Sequence, residues 1–224
     1  MATILNLETA TTNCSVSISR NGEVAFLREI AEQGYSHAEN LHRFIREGME
    51  ELAMDFSALD AVSVSKGPGS YTGLRIGVSA AKGLCFSLDK PLIAIPTLEI
   101  LACQFSQTDG ITVPMLDARR MEVYAAMYGP EGEELRETRA EIIDAESFAD
   151  SLSAHKLYFV GNAGDKCKEV IRHENAHFIQ EVNLPSAKEM AMLAEKFYNR
   201  REFVDVAYFE PFYLKDFMAP KKRN

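Results

Sequence analysis

The chain has no apolar run long enough to span a bilayer, and its opening residues, Met1-Ala2-Thr3-Ile4-Leu5-Asn6-Leu7-Glu8, lack the basic start and long apolar stretch of a secretory leader. A cytoplasmic protein without membrane association is the expectation. Cys14, Cys85, Cys103 and Cys167 are scattered and form no Cys-x-x-Cys pair. That excludes a dense disulfide framework and a thiolate metal cage, and predicts reduced thiols. Positive charge is also short: 24 Lys and Arg against 33 Asp and Glu leave a formal net charge of −9. Polyanion affinity rests on basic phosphate contacts, so broad RNA or DNA binding by this chain alone is not expected. The acidic stretch 131–146 and the basic run Lys221-Lys222-Arg223 read as solvated surface.

Familiar catalytic motifs are missing too. The segment Lys66-Gly67-Pro68-Gly69-Ser70-Tyr71-Thr72-Gly73-Leu74-Arg75-Ile76-Gly77 joins an alternating strand, Ala61 to Ser65, to a helical run. A glycine-rich turn at a helix N-terminus can receive an anion. It lacks the lysine of a P-loop, Thr72 stands where a dinucleotide fingerprint needs glycine, and no Gly-x-Ser-x-Gly frames Ser70. His173-Glu174-Asn175-Ala176-His177 matches the zinc-peptidase pattern, which needs one helix through both histidines. The strand-like Phe178 to Val182 follows it directly and argues against that helix. His37 and His42 lie about 140° apart on a helix and do not share a metal without outside ligands.

What is present is a large apolar fraction, 46% of 224 residues, enough for one large domain or two small ones. Strands are predicted at 3–8, 14–20 and 23–30, the last two joined by an Asn21-Gly22 hairpin turn. Ser36 and Glu39 form a capping box for an amphipathic helix over 36–53, with Leu41, Phe44, Ile45, Met49 and Leu52 on its apolar face. In the helix at 72–88, Gly73, Gly77 and Ala81 recur every four residues and line one face with almost no side chain, bordered by Leu74, Val78 and Cys85. Glycine costs about 1 kcal/mol against alanine in a helix, so a close helix-on-helix contact is the expected compensation. The pattern restarts after residue 108, with strands near 111–117, 121–128 and 134–141, then short helices around a strand at 157–161 and a longer helix at 187–200. This predicts an α/β protein of two related lobes, 1–108 and 109–224.

Four segments together resemble a known family: Ile4 to Thr11 with Cys14-Ser15-Val16, Lys66 to Gly77, Asp117-Ala118-Arg119-Arg120-Met121-Glu122-Val123-Tyr124, and Pro211-Phe212-Tyr213-Leu214. The chain is similar to the TsaB (YeaZ) family of tRNA threonylcarbamoyladenosine biosynthesis. That resemblance implies the two-lobed actin, Hsp70 and sugar-kinase (ASKHA, ribonuclease H-like) fold and a noncatalytic, cytoplasmic subunit. It implies as partners a TsaD-type transferase and a TsaE-type ATPase, with a homodimer as the other use of the same surface and tRNA reached only through the complex. The family's partner surface lies on the first lobe's helices, which here places Leu41, Phe44, Ile45, Gly73, Leu74, Gly77, Val78 and Ala81 at the interface. The family's first strand usually ends in aspartate; this chain has Glu8, which fits an absence of metal and catalytic residues. No cofactor is expected beyond weak ATP or ADP binding, for which Thr9, Thr11, Gly67, Gly69 and Ser70 are the candidates. The alternative functions are an ATP-dependent kinase or ATPase using those residues and, more remotely, a zinc peptidase.

Overall fold

The computed structural model describes residues 2–31, 37–105, 109–182 and 184–215. The Ser36 cap, the turn residues Gln107 and Thr108, and the Lys221-Lys222-Arg223 run lie outside the described residues. The first half contains β1 (Thr3–Glu8), β2 (Asn13–Arg20), β3 (Glu23–Ala31), α1 (His37–Glu51), β4 (Ala61–Gly67), α2 (Tyr71–Leu88), β5 (Leu92–Pro96) and α3 (Thr97–Ala102). The second contains β6 (Gly110–Asp117), β7 (Glu122–Tyr128), β8 (Glu134–Ile142), α4 (Ala149–Ala154), β9 (Lys156–Val160), α5 (Gly164–Lys168), β10 (Ala176–Ile179) and α6 (Ala187–Asn199).

The two halves repeat one topology. The first sheet has the order β3-β2-β1-β4-β5 and the second β8-β7-β6-β9-β10; in each, three antiparallel strands continue into two parallel ones. This is the ribonuclease H-like sheet of the two-lobed actin, Hsp70 and sugar-kinase fold. The β2–β3 hairpin turns through Asn21 and Gly22, both with positive φ (55° and 78°), the backbone that an Asn-Gly pair adopts most easily.

Both faces of the first sheet are covered. Leu5 and Leu7 of β1 pack with Val16, Val62 and Val64 under α1 and α2, while Ile4 packs with Ile93, Met190 and Leu193 under α6. Residues 187–199, counted with the second lobe on sequence grounds, therefore lie on the first sheet. The reason is chemical: the α6 face of the sheet carries Ser15, Ser17, Ser19, Ser63 and Asn6, and these small hydroxyls let the helix approach and then bond it. Ser17 donates to the Ala187 carbonyl (2.6 Å), and Ser15 accepts from the Ala187 amide (3.0 Å). Asn6, fully buried, is satisfied by Ser17, Ser19 and Ser63. In exchange, α3 packs Leu98 and Leu101 against Leu116, Ala126 and Val160 of the second sheet.

After α6 the chain returns across the first lobe as a strap, 203–215. Val204 makes an isolated bridge to Leu92, and Lys82 on α2 donates to the carbonyls of Ala207 (3.1 Å) and Phe209 (2.8 Å). The Phe212 amide donates to Lys66 (2.7 Å), and Lys215 pairs with Glu122 of the second lobe.

Candidate functional site

The C-terminal ends of β1 and β4 meet at a junction built by the glycine-rich segment. Gly67, a cis Pro68 and Gly69 carry the chain from β4 into α2, whose N-cap is Ser70, accepting from the Gly73 amide (3.3 Å). The turn after β1 nests directly on this segment. A Cβ at Gly69 would stand 2.3 Å from the Ala10 carbonyl oxygen, at Gly73 2.1 Å from that of Thr9, and at Gly77 2.2 Å from Thr9 Oγ1. The Ser70 amide donates to Ala10 O (2.6 Å), Thr9 Oγ1 donates to Gly73 O (2.8 Å), and the Gly67 amide donates to Thr97 Oγ1 (3.1 Å).

This is where the residues expected to cradle a phosphate lie. Thr9, Gly67, Gly69 and Ser70 do come together, and the Gly67 and Ser70 amides and the Thr9 hydroxyl are bonded to neighbouring groups of the chain. Thr11 accepts on its hydroxyl from the Asn13 amide (3.3 Å), and its carbonyl accepts from His37 Nε2 (2.7 Å), tying α1 to the same turn. Glycine here permits close packing between a turn and a helix.

Glu8 sits at the centre of the junction with no solvent exposure. Its Oε1 accepts from the Ala10 amide (2.6 Å), and its Oε2 has no hydrogen-bond partner among the described residues. Burial pushes the carboxyl up from 4.5 to about 7, only partly offset by the Ala10 amide and the Ser65 hydroxyl. Burial, together with the charge of Glu8, pushes the neighbouring Cys14 thiol up to about 11. Such a thiol is inert.

The eight residues expected at a partner surface are all buried in the chain itself. Leu41, Phe44 and Ile45 pack from α1 onto the first sheet, as do Val78 and Ala81 from α2, while Leu74, Gly73 and Gly77 face the junction. An amphipathic helix on a sheet spends its apolar face on its own core, so the surface open to a partner is the opposite one. There, α1 and α2 border a groove of about 750 Å³, lined by Ala38 and His42 from α1 and by Arg75, Ile76, Ser79, Ala80 and Gly83 from α2. Tyr71, also in the groove wall, stacks beneath the Arg75 guanidinium (4.2 Å) and against Tyr213 of the strap (5.0 Å between rings). Farther along α2, Phe86 is 85% exposed.

The groove was legible only by subtraction, as the small residues Ser79, Ala80 and Gly83 left over once the buried stripe is assigned. The histidine motif resolves differently from a zinc site. His173 precedes β10 and His177 lies within it, stacked on Tyr158 (5.1 Å), so the helix that would align both side chains is not formed.

Comparison with known proteins gives concordant matches. The profile of the family described as "TsaD: tRNA N6-adenosine threonylcarbamoyltransferase" matches residues 29–222. The chain is 28% identical to the tRNA threonylcarbamoyladenosine biosynthesis protein TsaB of Haemophilus influenzae, across 98% of this chain and 96% of that one. It is 28% identical to the Escherichia coli protein of the same name, across 98% and 97%. The solved structure of YeaZ from Pseudomonas aeruginosa superposes with a TM-score of 0.82 at 29% identity, covering 96% of this chain and all of that one. The chain thus belongs to the tRNA N6-adenosine threonylcarbamoyltransferase family, and within it to the TsaB (YeaZ) group.

Proposed function

We propose that this chain acts in tRNA threonylcarbamoyladenosine biosynthesis as a noncatalytic subunit that binds and supports a TsaD-type transferase through the outer groove of α1 and α2. The observation that carries this reading is the contrast between two places. The strand-end junction, where a two-lobed enzyme would hold its phosphate, is filled by its own backbone, while the helical groove is open and apolar. Full-length relatives named for this pathway support the pathway. A TsaE-type ATPase completes the assembly, a second copy of this chain is the competing occupant of the groove, and tRNA is reached through the complex in the cytoplasm. Glu8 acts in this reading as a buried structural acid, with no metal and no nucleotide required.

The test is calorimetric titration of the chain with its own organism's transferase subunit, wild type against Ser79→Arg. A long charged side chain in the groove centre is expected to cost ten- to hundredfold in affinity, about 1.4–2.8 kcal/mol, without lowering the melting temperature of the free chain. Absence of binding by the wild type refutes the partner role. Normal binding by Ser79→Arg leaves the role but removes the groove from it.

A further inference from the structure

The turn between β6 and β7 carries chemistry that neither the fold nor the groove uses. Arg119 and Arg120 are consecutive non-glycine residues in the left-handed region, with φ of 74° and 51°. Left-handed backbone is unfavourable for a residue with a Cβ, and such a conformation persists only where the surroundings impose it. They do so here. Asp117 Oδ1 accepts from the Arg119 amide (2.7 Å), and the Glu122 amide donates to the Arg119 carbonyl (3.1 Å). Lys166 on α5 reaches in with three bonds, to Asp117 Oδ1 (2.6 Å), Arg120 O (2.9 Å) and Glu122 O (2.7 Å).

The charges then add up unevenly. Asp117 is taken by Lys166 and Glu122 by Lys215, so the acids of the turn are neutralised. Both arginines are exposed, and among the described residues neither guanidinium has a hydrogen-bond or ion-pair partner. A chain of net charge −9 thus carries, at two consecutive positions of a braced turn, guanidiniums without a partner among the described residues.

We propose that the Arg119–Arg120 turn is a contact site for the sugar-phosphate backbone of RNA. The guanidinium fork matches a phosphate in a bidentate way, adjacent arginines can engage successive phosphates of one strand, and a net charge of −9 gives the polyanion little nonspecific hold on the rest of the chain. The choice of RNA rests on the proposed role in tRNA modification. Two arginines give weak affinity alone and orient the substrate within the assembly. Lys166 is a positioning residue for the turn.

The test compares wild type with Arg119→Gln/Arg120→Gln in the reconstituted modification complex, titrating unmodified tRNA. The expected result is a KM for tRNA about tenfold higher, with unchanged kcat at saturating tRNA, unchanged subunit assembly on size exclusion and an unchanged melting temperature. The salt dependence of log KM should become shallower by about 1.4–1.8, at about 0.7–0.9 for each phosphate that is no longer neutralised. Arg119→Lys/Arg120→Lys should restore the salt slope. An unchanged KM overturns the proposal, and so does a variant whose defect is failure of subunit assembly, which would assign the arginines to an acidic protein surface. If wild type itself supports no modification, the proposed function fails instead, and ultraviolet crosslinking of the free chain to tRNA at low salt judges the turn alone: crosslinks at 117–122 that vanish in the Gln variant sustain it, and their absence refutes it.

Discussion

Two glycines of α2, six residues apart, should respond to alanine with opposite signs. At Gly83 an added Cβ meets nothing within 4 Å, so only helix propensity changes. Gly83→Ala is expected to stabilise by about 1 kcal/mol, or roughly 2–4 °C in Tm for a chain of this size. At Gly77 the same methyl would stand 2.2 Å from Thr9 Oγ1, which is bonded to Gly73 O. Moving that hydroxyl breaks a buried bond, about 1–3 kcal/mol with a group left unpaired, and overpacking adds about 1–3 kcal/mol. Set against a propensity gain of about 1 kcal/mol, the net for Gly77→Ala is a loss of roughly 1–5 kcal/mol. Urea unfolding with m-values checked for constancy reads both. A Gly77→Ala variant as stable as wild type would mean the β1–β2 turn does not nest on α2, and a destabilised Gly83→Ala would mean the groove wall is not open.

The remaining expectations concern the junction and the strap. A Glu8 carboxyl raised to about 7 when folded and near 4.5 when unfolded means the native state holds its proton more tightly. Stability should therefore fall as pH rises from about 4.5 to about 7 and level off above, by about 3 kcal/mol in all. Glu8→Gln should flatten that slope in urea titrations at about pH 5 and about pH 8, and parallel profiles for the two proteins would sink the assignment. Lys82→Met removes both bonds from α2 to the strap at Ala207 and Phe209. Amide exchange at Phe212, whose N–H bonds Lys66, should accelerate at least about tenfold while the β1 amides keep their protection; unchanged exchange would show that the strap is held elsewhere.

The sheets were readable because their strands are: Ala61 to Ser65 alternates, Asn21-Gly22 marks its hairpin, and the restart after 108 marks the second sheet. Three features were not. The serines of β2 alternate with apolar residues as on a solvated face, yet they are buried beneath α6, because hydroxyls can be satisfied by the backbone of a helix that a local pattern does not reveal. The stripe of Gly73, Gly77 and Ala81 signalled a close approach correctly but not its object, which is the Thr9 turn and not a second helix. Spacing within α2 carries no information about what arrives from 64 residues upstream. The strap is a run without period, and its anchors on Lys66, Lys82 and Glu122 form only where the chain returns across the first lobe.

The repeated topology shows how one frame gives two chemistries. Each sheet's first strand ends in an acid that accepts the amide two residues on, Glu8 from Ala10 (2.6 Å) and Asp117 from Arg119 (2.7 Å), and each later strand runs into a glycine with φ of 110°, Gly67 and Gly161. The helices that follow decide the difference. In the first lobe, α2 has 18 residues and presents Gly73 and Gly77, so the turn sinks onto it, the acid is sealed from water, and its proton is held to about neutrality. In the second, α5 has 5 residues and presents Lys166, whose ammonium holds the turn from outside and pairs with Asp117. A lysine cannot let a turn sink, because its charge must stay near water and its bulk fills the gap. The second turn is therefore propped up and exposed with its arginines, while the first is closed and leaves its long helices to offer their outer faces. Exchanging the roles would take a glycine at 166 and a longer helix behind it, and without the lysine the left-handed backbone at Arg119 and Arg120 would lose three of the bonds that hold it.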